Sequence, residues 1–93
     1  MAETEARLAK IRERLALLEP EKIELIDDSA RHAGHAGAAS GGGHYQLTLV
    51  SPRFVGLARL ARHRLVYDAL DPLMRGEIHA LSLNLQTPEE AGL

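Results

Sequence analysis

The residues that carry chemistry in this chain are five histidines, and they occur without a single cysteine. His32, His35 and His44 sit in or beside a glycine-rich stretch, His79 opens an apolar segment, and His63 lies between Arg62 and Arg64. Without thiolates the chain cannot hold an iron–sulfur cluster on cysteines of its own. Imidazole, however, ligates transition metals and can complete a cluster whose thiolates come from elsewhere. It binds as the neutral base, so such ligation weakens as the pH falls. His32-x-x-His35 has ligand-like spacing, a spacing that a Gly/Ala/His-rich stretch also produces by chance. His44 fits a strand start that caps a loop, and His63 fits a structural or partner-contact role. From the residues alone, His79 fits a satisfied histidine at the end of a core strand better than a ligand.

A second cluster is basic. Between Pro52 and Tyr67 stand Arg53, Arg59, Arg62 and Arg64 with no acid among them, although the net charge is −2. A solvated helix face and a binding surface for nucleic acid or a partner protein both fit this pattern. Enzyme chemistry finds little support. There is no cysteine nucleophile, Ser51 and Ser82 lack an evident relay, and neither a P-loop nor a dinucleotide glycine pattern is present.

The elements that must position these groups fit one small domain over residues 1–93. Leu8, Ile11, Leu15 and Leu18 form one apolar stripe, predicting a helix over 3–18 that Pro20 stops. Residues 22–26 predict a strand, and 30–43 a flexible Gly/Ala/His loop. His44–Ser51 alternates as a second strand, with Tyr45, Leu47 and Leu49 on one face. Ser51-Pro52 starts a short helix around 53–60. A longer helix follows at 62–74, which Pro72 should distort in its last turn. Residues 77–85 predict a third strand on which His79 shares a face with Leu81, Leu83 and Leu85. Thr87-Pro88-Glu89-Glu90 is a capping box for a terminal turn. The first two strands can pair antiparallel. A three-stranded mixed sheet with helices on one face is the simplest packing of this α+β order. The chain has no apolar run long enough to span a membrane and no secretory leader pattern, and the absence of cysteine fits a reducing, cytoplasmic setting.

IDDSARH at 26–32, HYQLTLVSPRFVG at 44–56, ARHRLVYDAL at 61–70, IHALSL at 78–83 and TPEE at 87–90 together resemble the BolA-like family. The resemblance implies an αββααβα fold related to the class II KH domain. It also implies a non-enzymatic accessory protein that binds a monothiol glutaredoxin and co-ligates a shared [2Fe–2S] cluster, glutaredoxin and glutathione supplying the thiolates. The isolated chain would then bind no cluster, and its apo form would be open to homodimer formation. By position, His79 would be the strand ligand and His32 the loop ligand, making this a His-type member, with His35 and His44 as alternatives. The family's other implied activity is regulation of stress and morphology genes through duplex DNA. Its surface would be the helix-turn-helix-like unit bearing Arg53, Arg59, Arg62, His63 and Arg64. The KH clamp needs a GxxG loop, whereas Gly56-Leu57-Ala58-Arg59 keeps only the first glycine.

Overall fold

A computed structural model describes residues 2–28, 43–76 and 78–93, with side chains for these except 2–4 and 79. The chain runs through α1 (Ala2–Leu15), β1 (Lys22–Asp27), β2 (Gly43–Val50), α2 (Arg59–Met74) and β3 (Ile78–Gln86). The expected loop, with His32 and His35, lies outside the described residues apart from Gly43, which opens β2.

The sheet order is β1-β2-β3. β1 pairs antiparallel with β2, from Lys22 opposite Val50 to Asp27 opposite Tyr45. β3 pairs parallel with β2, so the sheet is mixed as expected, and α2 makes the crossover that a parallel pair requires. Alternation sorts the faces. Tyr45, Leu47 and Leu49 are buried with Ile11, Leu15 and Leu18 of the first helical segment and Val66, Leu70 and Leu73 of α2. Gln46, Ala80, Ser82 and Asn84 are exposed on the opposite, polar face. Both helices thus cover one side only.

Local chemistry explains the turns. The first helix ends in a 3₁₀ turn at Ala16–Leu18 and reverses at Glu19, whose φ of 51° is left-handed. This differs from the extended geometry expected before Pro20. The Glu19 N–H donates to the Ala16 carbonyl, and its carboxylate accepts from Arg53 Nε at 2.8 Å, so two contacts offset the cost of the conformation.

The helix expected at 53–60 is instead a single 3₁₀ turn at Pro52–Phe54. The chain extends at Val55, takes φ 79° at Gly56, and extends again at Ala58 before α2 begins at Arg59. The region is therefore one long helix after a tight corner, and the two-helix unit expected from the sequence is not formed. α2 also runs through Pro72 to Met74. A proline there forgoes one bond near the helix end, which the remaining turns tolerate.

Ser51 holds the corner. It is fully buried, its hydroxyl donates to the Leu18 carbonyl at 2.5 Å, and it accepts from the Arg53 N–H at 3.0 Å. Ser51→Ala should cost about 1–3 kcal/mol, because it leaves a buried carbonyl without its donor and removes a cap. Urea denaturation checks this, and an unchanged midpoint would show the corner holds without the hydroxyl.

Candidate functional site

Two histidine positions meet at one end of the sheet. Gly43 pairs with Ile78 and His44 with Ala80, and a bulge opens at that step. The backbone of His79 is the extra residue in the bulge, beside Gly43 and His44, on a strand about 4.8 Å away. Ile78 is buried in the core although Leu81, Leu83 and Leu85 also pack against it, so strict alternation holds from Ala80 onward but not across Ile78–Ala80. The expectation that the His79 side chain shares the leucine face falls outside the described side chains. Asp28 and Gly43, the described residues that flank the segment bearing His32 and His35, lie at this same end. The stems are closed by the bond from the Asp28 N–H to the His44 carbonyl at 2.7 Å and by the start of β2 at Gly43.

His44 lines a recess of about 140 Å³ with Asp28, Gln46, Ala80 and Ser82. The Gln46 amide donates to Asp28 Oδ2 at 3.1 Å across the stem. His44 is half-buried and its Nε2 is enclosed, which suits a residue that closes the loop base better than one offering that nitrogen to an outside metal. Among the described residues, no three or more His, Asp or Glu side chains converge to hold a metal ion.

The arginine-rich surface is divided. Arg53 is bound to Glu19 through Nε and Nη2. Arg62 is a staple: Nε donates to the Leu57 carbonyl at 2.9 Å, Nη1 to the Leu85 carbonyl at 3.2 Å, and the guanidinium grips both oxygens of Glu90. It fastens the corner, β3 and the C-terminal turn together. Thr87 and Glu90 form the reciprocal capping box expected from TPEE, with bonds of 2.9 and 3.1 Å. Arg59, His63 and Arg64 remain as the outward basic groups. A groove of about 260 Å³ lies between α2 and β3, lined by Leu57, Arg59, His63, Leu83, Asn84 and Leu85 and closed at one end by Arg62. Nothing local in the sequence distinguishes Arg62 from its neighbours. Its partner lies 28 residues away, and the only signal is that Glu90 already belongs to a cap.

Hydrogen bonding from Arg62, then from the Thr87 N–H, lowers the Glu90 carboxyl from 4.5 to about 2. The Arg62 guanidinium is raised by the same bond. A depressed carboxylate contributes stability that is fully present above its ordinary value and is lost as the pH falls toward the folded value. Between pH 4.5 and about 2, wild type should therefore lose thermal stability faster than Glu90→Gln. Parallel melting curves for the two proteins across that interval would show that the staple contributes nothing.

Fold and site together define a small α+β module with one polar sheet face, a histidine-bearing sheet end and a basic groove. No helix among the described residues is long and apolar enough to cross a membrane. Comparison with known proteins gives the module its family. The family model for BolA-like proteins matches residues 15–90, and the chain belongs to the BolA-like family. The SufE-like protein 1 of Arabidopsis thaliana is 40% identical over 91 residues, covering 91% of this chain and 24% of that protein. BolA-like protein 1 of Mus musculus is 41% identical over 73 residues, covering 78% of this chain and 51% of that one. The chain thus spans about half or less of the length of these two relatives. Among solved structures, BolA1 from Arabidopsis thaliana superposes with a TM-score of 0.76 at 35% identity, over 90% of this chain and 94% of that chain. The BolA domain of SufE1 from the same plant also gives 0.76, at 40% identity over 88% and 92%.

Proposed function

We propose that this protein is a non-enzymatic accessory factor in iron–sulfur cluster handling, acting in a reducing cytoplasm with a monothiol glutaredoxin. In this reading it offers histidine ligands to a [2Fe–2S] cluster whose remaining ligands are glutaredoxin and glutathione thiolates. The observation that carries the reading is the convergence of the His79 backbone and the anchors of the His32/His35 segment on one end of the sheet. A ligand fixed on a strand and a second on the adjoining loop suit a shared site. The strand backbone sets the position of the first of them. The donor set also fits, since two imidazoles can complete one iron of a cluster whose other iron is held by thiolates. The enclosed Nε2 of His44 favours His79 with His32, or with His35, over His44.

The test mixes the protein with cluster-loaded monothiol glutaredoxin and records visible absorption and circular dichroism. Wild type should change both spectra, and His79→Ala should abolish the change while leaving the melting temperature near that of wild type. If wild type leaves the spectra unaltered, the shared-cluster reading fails. If His79→Ala matches wild type, that ligand assignment fails. The DNA-regulator reading finds less support, because Arg53 and Arg62 are bound to acids of the same chain.

A further inference from the structure

We propose that the groove between β3 and the N-terminal half of α2 takes an extended acidic peptide segment of a partner protein, added to the sheet as a strand along the β3 edge. This goes beyond the cluster reading and stands without it.

Among the described residues β3 pairs with β2 alone, and its other edge carries no strand. The direction of its backbone groups follows from two bonds. The Gln86 carbonyl accepts from the Ser51 N–H on the β2 side, whereas the Leu85 carbonyl accepts from Arg62 on the opposite side. A strand repeats every two residues, so the N–H and C=O of Leu83 and Leu81 also point away from β2. Arg62 occupies the last of these positions and leaves Leu81 and Leu83 as the open rungs. Proteins usually blunt such an edge with lysine, proline or a charged side chain. β1, at the other edge, carries Lys22, Glu24 and Asp27, but Leu81-Ser82-Leu83-Asn84-Leu85 has no such device.

The lining says what fits. Half-buried Leu57, Leu83 and Leu85 offer an apolar subsite for an aliphatic side chain. Arg59 lines the groove with its side chain exposed, and His63 and Arg62 line it beside Arg59. Asp68 and Asp71 lie further along the helix, beyond Tyr67, and Glu90 is held by Arg62. With Arg62 paired to Glu90, the Arg59 guanidinium is the cation the groove lining presents, and it selects an acidic partner. Main-chain bonds along an edge with pockets for alternate side chains are the mode of β-strand addition. Single-stranded nucleic acid is the poorer match, because His63 is the one ring in the lining and no series of aromatic side chains follows it for successive bases to stack on.

The experiment titrates the isotope-labelled full chain with a synthetic octapeptide alternating glutamate and valine. The amides of Leu81 and Leu83 should shift and gain protection from hydrogen exchange. Arg59→Glu should weaken binding about tenfold, equivalent to about 1.4 kcal/mol. An acid in the first turn of α2 favours the helix, so this variant should fold normally. A lysine–valine octapeptide should not bind. Of two N-methylated versions, one blocked at its valine nitrogens and one at its glutamate nitrogens, one should lose binding. Unmoved Leu81 and Leu83 amides at saturating peptide would overturn the proposal, as would equal binding by both methylated forms. Tighter binding of a thymidine octanucleotide in the same groove would reassign it to nucleic acid.

Discussion

Gly43→Ala should destabilise the protein by about 1–3 kcal/mol and disturb the sheet end where the histidine positions meet. A methyl group at Gly43 would overlap the ring of Tyr45. An exposed ring would swing aside at little cost, but Tyr45 is only 2% exposed and belongs to the central cluster, so it cannot move without opening the core. The alternative is for the backbone at Gly43 to retreat, which pulls on its pairing with Ile78 and on the bulge that contains His79. A lowered melting temperature and displaced Tyr45 ring resonances are the expected readouts. Tyr45→Leu removes the ring, so in the double variant the two penalties should sum to less than their separate values. Strict additivity would mean the overlap is relieved some other way. If Gly43→Ala also weakens the response of cluster-loaded glutaredoxin, the sheet end and the proposed site are the same structure.

Phe54→Ala should be the most damaging single change, costing about 3–5 kcal/mol against a total stability of about 5–15 kcal/mol for a domain. Phe54 is fully buried although it sits in a 3₁₀ turn between a strand and a helix. It packs in one cluster with residues of both helical segments and of β2, so truncating it leaves a cavity that no single element can move to fill. A lower urea midpoint with an unchanged slope is the expected signature, and Phe54→Leu should lose less than half as much. A midpoint within error of wild type would mean that the corner is not part of the core.

The parts of the structure legible in the sequence are those written in neighbouring residues. The stripe at Leu8, Ile11, Leu15 and Leu18 shows the first helical segment, because those positions share one side of a helical repeat and all pack on the core. The alternation of Tyr45, Leu47 and Leu49 shows both β2 and its buried face. Thr87 and Glu90 are three residues apart and form the expected cap.

What remained hidden depends on partners far along the chain. Arg14 Nε donates to the Ala69 carbonyl across 55 residues, and Arg53 reaches Glu19 across 34. Arg62 looked like one more cation of a basic surface until the fold placed Glu90 opposite it. The corner at 55–58 was hidden for a different reason. Its composition suits a helix, and only the positive φ at Gly56 and the pull of buried Phe54 break it. The strand end that carries the candidate site was legible, its register was not. The family resemblance, not the residue types alone, pointed to His79 and His32, and the position of the His79 backbone beside Gly43 and His44 comes from strand register, which alternation alone does not number.

The bulge at Ile78–Ala80 bears on how such a module can diversify. From Ala80 to Gln86 each residue of β3 is matched to one of β2, and an exchange there must respect the ladder. Position 79 is outside that count. It is carried as a supernumerary residue, so its identity can change across generations without renumbering the rungs on which the fold depends. A lineage can therefore alter the chemistry at this position while inheriting the scaffold intact.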